Sequence, residues 1–244
     1  MKITTIGVWG AYPEAEQATS SFLLEEDNFK LLIDCGSGVL SQLQKYVSLN
    51  QLDSLIISHY HNDHIADVGC LQYALMIQKK LGNRNGVFPI FGHDKDREKF
   101  SLLSYQDVTL AKPVNEQEDF IIGPFEVSLI KAIHPVYSLS IKFRANGKTI
   151  VYTGDTEWNS ELVRFADQAD LIISEANLYD EQINEVKGHL TAGQAGELAD
   201  KAKAKKLLLT HLPHFGNHQD LLEQAKQQFN GEVFLAKPGL TLNI

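Results

Sequence analysis

Three of the chain's nine histidines fall within six residues, in the order His59-Tyr60-His61-Asn62-Asp63-His64. The run Leu52–Ser58 that leads into them has the apolar pattern of a short buried strand. Extended backbone repeats its side chains with period two, so His59 and His61 fall on one side. Asp63 and His64 turn away from that pair if a helix starts there. One short segment can then offer two imidazoles to one cation, and a carboxylate with an imidazole to a second. Neutral imidazole and carboxylate suit Zn²⁺ and similar borderline divalent ions. A solvated loop accounts for a single such histidine, but poorly for His-x-His-x-Asp-His directly after a strand.

Such donors need strands and helices to aim them. In the first third, Lys2–Val8, Ser21–Glu25 and Lys30–Asp34 read as strands, with Asp27-Asn28 turning between the last two. Gly36 and Gly38 break the chain before a helix over Val39–Tyr46. A second helix is expected over Ile65–Leu81, ending at Gly82, and a strand over Val87–Phe91. Further strands are expected at Phe120–Ile122, Phe125–Ala132, Leu139–Arg144, Thr149–Tyr152, Leu171–Ser174, Lys206–Thr210 and Glu232–Leu235. Thr191–Ala204, with Thr191 as its N-cap, and Gln219–Gln228 read as helices. The pattern predicts two sheet-containing halves packed face to face, with helices outside.

At 244 residues, with 43% hydrophobic and 22% charged residues, the chain has the composition of a globular protein and room for a large core. No low-complexity tract or linker divides it, so residues 1–244 are expected to form one domain. The 22 basic against 31 acidic residues give a net charge of −9, which argues against long nucleic acid as a partner. Two cysteines, Cys35 and Cys70, cannot build a disulfide framework. No signal-peptide pattern and no membrane-length apolar run is present. A cytoplasmic protein without membrane contact is therefore expected.

The cluster His59-x-His61-x-Asp63-His64 after an apolar strand resembles the signature of the metallo-β-lactamase superfamily of binuclear metal hydrolases. Other segments match that superfamily in order: Leu32-Ile33-Asp34-Cys35-Gly36, His134 before Pro135, Thr153-Gly154-Asp155-Thr156, and Thr210-His211-Leu212. The resemblance implies an α+β fold, a four-layer αββα sandwich with a dimetal site at one edge. Carried over by position, one ion would be held by His59, His61 and His134, the other by Asp63, His64 and His211, with Asp155 between them. Zinc comes first, and manganese or iron suits the same donors. Asp34 reads equally as a buried carboxylate orienting a ligand histidine and as a turn residue.

The segment from Gly188-His189-Leu190-Thr191 to Ala199 resembles the helix-opening motif of the ribonuclease Z-like branch and its phosphodiesterase relatives. There the histidine acts at the leaving group and pairs with a strand-end glutamate, which here would be His189 with Glu175. This implies hydrolysis of a phosphodiester through a metal-bridging hydroxide, with Asp63 orienting the hydroxide or taking its proton. His189 would serve as general acid. Two divalent cations outweigh the nearby aspartates, so a small anionic substrate is expected despite the overall charge. The tRNA-processing members carry a long basic arm between the residues matched by His134 and Asp155. Only 20 residues separate them here, which points to a smaller diester: a cyclic nucleotide, a short oligonucleotide or a phosphorylated head group. A thioesterase or lactonase of the same fold is the alternative enzyme, and a non-catalytic metal-binding or RNA-associated module the alternative of another class. Similar proteins are commonly homodimers. His93, His214 and His218 read as loop residues.

Overall fold

The computed structural model describes residues 1–183 and 185–244. Six strands of the first sheet come in chain order: β1 (Lys2–Gly7), β2 (Ser21–Glu26), β3 (Phe29–Ile33), β4 (Ser54–Ile56), β5 (Phe88–Gly92) and β6 (Thr109–Pro113). The second sheet follows with β7 (Phe120–Ile122), β8 (Phe125–Lys131), β9 (Leu139–Ala145), β10 (Lys148–Tyr152), β11 (Leu171–Glu175), β12 (Lys206–Thr210) and β13 (Glu232–Leu235). A last strand, β14 (Thr241–Asn243), returns to the first sheet and pairs antiparallel with β1. Each sheet thus has seven strands, ordered β14-β1-β2-β3-β4-β5-β6 and β13-β12-β11-β10-β9-β8-β7. Both are mixed. Strands β1 to β3 and β7 to β10 pair antiparallel, while β3 to β6 and β10 to β13 run parallel.

Side-chain alternation on the first sheet shows how the layers stack. Leu24, Leu31, Ile33 and Ile56 belong to a core shared with Phe125, Ile141, Phe143 and Ile172 of the second sheet. Their neighbours Leu23, Leu32, Leu55 and Ile57 belong to a different core on the outer face, closed by helix residues Leu43, Leu71 and Leu75. The period of two therefore sends alternate residues into two apolar layers. Each fully buried side chain of this kind contributes roughly 1.5–3 kcal/mol.

Seven α-helices, α1 (Val39–Leu43), α2 (Asn62–Ile65), α3 (Val68–Lys80), α4 (Arg97–Ser101), α5 (Ser160–Phe165), α6 (Ala192–Lys201) and α7 (His218–Gln228), and two 3₁₀ turns, Leu49–Gln51 and Asp180–Gln182, complete the described elements. The single helix expected over Ile65–Leu81 is two, and the first begins earlier, at Asn62. The break has a cause: the Asp67 carboxylate accepts the Leu40 N–H (2.9 Å), tying the joint between the helices to the start of α1. Thr191 caps α6 as its sequence predicts, with Gln194 completing a reciprocal capping box. Among the described residues, no helix is long and apolar enough to cross a membrane.

Candidate metal centre

Strand ends supply most of the site. β3 ends one residue before Asp34, and β4 ends two residues before Ser58 and three before His59. β10 and β12 end shortly before Asp155 and His211. Asp34 and His211 both take left-handed backbone angles (φ 58° and 53°), a bend that costs about 1–3 kcal/mol and turns each side chain off its strand. Gly36 is required by the packing of α2. A Cβ there would lie 1.7 Å from the Asp63 carbonyl oxygen, so the turn carrying Asp63 and His64 seats directly on the glycine backbone.

Asp34 is fully buried and holds four donors. Its Oδ1 accepts the Ser58 N–H (2.7 Å); its Oδ2 accepts the Ser58 and Tyr152 hydroxyls (both 2.8 Å) and the His64 Nδ1–H (2.8 Å). The two readings of Asp34 therefore both hold, since the residue makes the turn and fixes the imidazole. With Nδ1 committed, His64 Nε2 faces the site. It lies 3.5 Å from Asp155 Oδ1 and 3.6 Å from Asp63 Oδ2.

The remaining histidines converge on the same place. His61 occupies the N-cap position of α2, and its Nδ1 lies 3.2 Å from both His59 Nε2 and His134 Nε2. The Gly188 carbonyl accepts from His134 Nδ1 (3.0 Å), which turns Nε2 inward. His211 Nε2 lies 3.2 Å from Asp63 Oδ2 and 3.3 Å from Asp155 Oδ2, while the Asn177 side-chain amide sits 2.8 Å from its Nδ1. Asp63 Oδ2 also accepts the Ala11 N–H (2.9 Å). All seven residues matched in the sequence are thus brought together, in two overlapping groups: His59, His61, His134 with Asp155, and Asp63, His64, His211 with Asp155.

Three observations fit these donors to cations. His64 Nε2 and Asp155 Oδ1 are buried without a hydrogen-bond partner, which is costly for a native interior. The His61 Nδ1 held 3.2 Å from both His59 Nε2 and His134 Nε2 crowds three imidazole nitrogens, which repel unless a proton or cation lies among them. That separation is close to the edge of about 3.3 Å of a tetrahedron with metal–nitrogen bonds of ~2.0–2.1 Å.

Electrostatics distinguish the residues. Burial, reinforced by the neighbouring His64, pushes His59 well below the usual imidazole range; burial and then His134 push His61 down. Burial would raise Asp63 and Asp155, but the facing histidines hold both carboxyls well below their ordinary values. Burial would likewise lower His64, yet Asp155 and Asp34 hold it well above.

Glu175 and His189 also meet. Glu175, the last residue of β11, is 1% exposed and accepts the Thr156 N–H through Oε1 (2.7 Å). His189 Nδ1 lies 3.0 and 3.2 Å from its two oxygens. Burial opposes charge on His189, but the Glu175 carboxylate outweighs it and raises the imidazole to about 9. The ring stacks on His211 (centroids 5.5 Å) and meets His134 edge-on (5.4 Å).

Sequence reasoning gave no role to Asn177, Tyr152, Ser58 or the Ala11 N–H, which touch the donors or, for Tyr152, the Asp34 carboxylate behind them. Asn177 lies two residues beyond Glu175, a spacing that could have marked it. His93 and His214 lie in loops as read, packed rather than solvated, while His218 instead opens α7. His93 is 2% exposed, and His214 is stacked between Tyr12 (3.7 Å) and Trp9 (4.6 Å).

Comparisons with known proteins agree with this geometry. The family profile described as "Beta-lactamase superfamily domain" matches residues 30–212. The "Probable metallo-hydrolase YhfI" of Bacillus subtilis (strain 168) is 44% identical over 239 residues, covering 98% of each chain. The crystal structure of that metallo-beta-lactamase fold protein superposes with a TM-score of 0.97, covering 99% of this chain and 98% of the other at 43% identity. A "Ribonuclease Z" of Haloarcula marismortui is 26% identical over 297 residues, covering 98% of this chain and 96% of its own. A diphosphatase from the PhnP family shares the fold (TM-score 0.75, 18% identity, 100% of this chain and 97% of that one).

Proposed function

The chain belongs to the beta-lactamase superfamily and is a metal-dependent hydrolase, and from that premise we propose that it is a phosphodiesterase acting on a small phosphodiester. The observation that carries the reading is His189, held by Glu175 and standing over one ring from each donor group. An ester with a good leaving group has little use for a half-buried, protonated imidazole there, whereas a departing alkoxide needs one. Relatives named ribonuclease Z and diphosphatase, both of which cleave bonds to phosphorus, support the same choice.

Two divalent cations, zinc first, would be held by His59, His61 and His134 and by Asp63, His64 and His211, with Asp155 shared between them. When bound they would supply Lewis acidity and draw the pKa of water down towards ~7. The chain's own residues do the rest. Asp63, fixed by the Ala11 N–H and by His211, orients the attacking water. Glu175 holds His189 Nδ1, so Nε2–H is free to protonate the departing oxygen, a role that contributes about 10²–10⁴-fold.

Substrate size follows from the interval between His134 and Asp155. Among those residues β9 and β10 form a tight hairpin, turning at Asn146-Gly147 with left-handed angles (φ 49° and 71°), and no arm projects. With the net charge of −9, this favours a small anionic substrate over long nucleic acid. A cytoplasmic setting suits the two free thiols, Cys35 and Cys70.

The test is hydrolysis of bis-p-nitrophenyl phosphate by zinc-loaded protein beside a thioester and a lactone. Diester turnover that vanishes with chelator is expected. Thioester or lactone turnover without diester cleavage would overturn the reading and move the activity to another branch of the same fold.

A further inference from the structure

Between β1 and β2 the chain makes a three-residue turn, Gly10-Ala11-Tyr12, closed by the Tyr12 N–H on the Gly10 carbonyl (2.6 Å). Ala11, at its centre, has φ 59°, in the left-handed region that glycine enters freely and alanine does not. With a positive angle at its centre the turn is of the rare, strained kind. Gly10 approaches the metal site so closely that a Cβ on it would lie 2.6 Å from the Asn177 amide and 2.8 Å from the His211 ring. This geometry aims the Ala11 N–H at Asp63 Oδ2 (2.9 Å). A turn strained in this way persists only where its surroundings over-determine it.

His214 supplies the constraint. It lies in the loop after β12, three residues beyond His211, and reaches back to the turn. Its Nε2 is 2.7 Å from the Tyr12 carbonyl and 3.2 Å from the Gly10 carbonyl. Both partners are acceptors, so Nε2 carries the proton and donates. The ring lies flat between Tyr12 (centroids 3.7 Å, planes 4° apart) and Trp9 (4.6 Å, 12°). Trp9 is itself buried and held, its Nε1–H donating to Gln17 Oε1 (2.8 Å). Tyr12 is 58% exposed, so packing elsewhere does little to hold the turn. The Gly10 N–H bonds the Leu212 carbonyl (3.1 Å), which hinges one end of the turn on the same loop that carries His214.

We propose that His214 is a positioning residue: its imidazole clamps the Gly10-Ala11-Tyr12 turn so that the Ala11 N–H stays on Asp63. The inference deepens the hydrolytic reading and rests on it for the role of Asp63. The contacts close a circuit. Asp63 Oδ2 accepts the Ala11 N–H on one side and faces His211 Nε2 (3.2 Å) on the other, and His214 joins the two segments behind them. Without the clamp, Ala11 relaxes toward negative φ and carries its N–H off the carboxylate. Asp63 then keeps His211 but loses the contact that fixes its plane. A ring that merely covered the surface would need one packed face and no donor. His214 is packed on both faces and directs its Nε2–H at the strained turn itself.

Amide hydrogen exchange, followed by NMR in the zinc-loaded full-length protein, reads the Ala11 N–H directly. His214→Phe keeps a flat ring between Tyr12 and Trp9 but removes the donor. The Ala11 amide should then exchange at least about tenfold faster, while the buried amides of β10 and β12 keep the parental rate. His214→Gln, whose side-chain amide offers an N–H at similar reach, should recover part of the protection. Zinc competition with a chromophoric chelator is the second readout. His214→Phe should weaken one binding step by about threefold to tenfold and leave the other unchanged, a smaller effect than losing a direct partner of a ligand. Diester kcat should fall with KM unchanged. A parental Ala11 exchange rate in His214→Phe would overturn the clamp, as would two unchanged zinc steps. Acceleration spread equally over β10 and β12 would also overturn it, because that reports a fold loosened as a whole. If diesters are cleaved and Ala11 does not respond, the clamp alone fails. If Ala11 and one zinc step respond and the parent cleaves no diester, the clamp stands and the activity must be reassigned.

Discussion

The two donor groups share Asp155 but are built on different terms. His59, His61 and His134 form a group of imidazoles, two of them partly exposed, fixed from behind by a hydroxyl and a backbone carbonyl. Asp63, His64 and His211 are all buried, include a carboxylate, and are fixed by Asp34, Asn177 and the Ala11 N–H. The first group lies on the open side of the centre, with His61 in the wall of a surface cavity. The second is an anchored, charged assembly set into the interior. Rigidity is concentrated in one half of the centre and access in the other, an arrangement that holds one ion firmly while leaving the other near substrate.

Removing the shared residue breaks both halves at once. Asp155→Ala should take zinc content well below one ion per chain and abolish diester turnover, the largest effect expected of any single change. Elemental analysis after dialysis against excess zinc checks it. Two ions retained at parental affinity would show that Asp155 bridges nothing.

His189 belongs to neither group but touches a ring of each, so it separates chemistry from metal binding. His189→Ala should lower diester turnover by about 10²–10⁴-fold while zinc content stays that of the parent. The pH profile sharpens the assignment. An imidazole raised to about 9 is protonated below that value, so its contribution is present at neutral pH and is lost as pH rises through about 9. Glu175→Gln removes the charge that raises it and should move this alkaline limb to lower pH. A limb that stays in place would detach Glu175 from the acid.

The anchored half tests the hierarchy itself. Asp34→Asn replaces a carboxylate holding four donors with a neutral amide, and changes to such partners cost about 10–100-fold in metal affinity. Competition with a chromophoric chelator should show the weakening confined to one of two binding steps. His61→Ala, which should weaken the other step, identifies which is which.

What could be read from the chain follows the same division. Donors must be His or Asp and must sit where strands end, so His59, His61, Asp63, His64, Asp155 and His211 stand out by type and spacing. Their supports do not. Tyr152 reaches Asp34 across 118 positions of sequence, and Ala11 contributes only an N–H that any residue possesses. The helix break near Asp67 was equally hidden, because apolar periodicity runs through a joint that a contact with Leu40 imposes. β14 is three residues long and pairs with the opposite end of the chain, so no local pattern announces it. His93 does lie in the loop that Gly92 and Asp94 suggest, but its burial comes from Tyr60 and Tyr137, which no local pattern announces.

Ser58 is where the two halves meet, and it offers the smallest and most discriminating test. Its hydroxyl donates to Asp34 Oδ2 (2.8 Å) and lies 3.1 Å from His59 Nδ1, so one oxygen links the anchor of the second group to a ring of the first. In Ser58→Ala, Asp34 keeps the Ser58 N–H, the Tyr152 hydroxyl and His64, and the second group should bind as before. His59 loses its only side-chain partner at Nδ1 and should hold its ion less firmly, by no more than about tenfold, the low end for such supports. The same chelator competition reads both steps in one titration. If the buried group weakens more than the imidazole group, the anchor depends on Ser58 rather than the reverse, and the division between a fixed half and an accessible half is wrong.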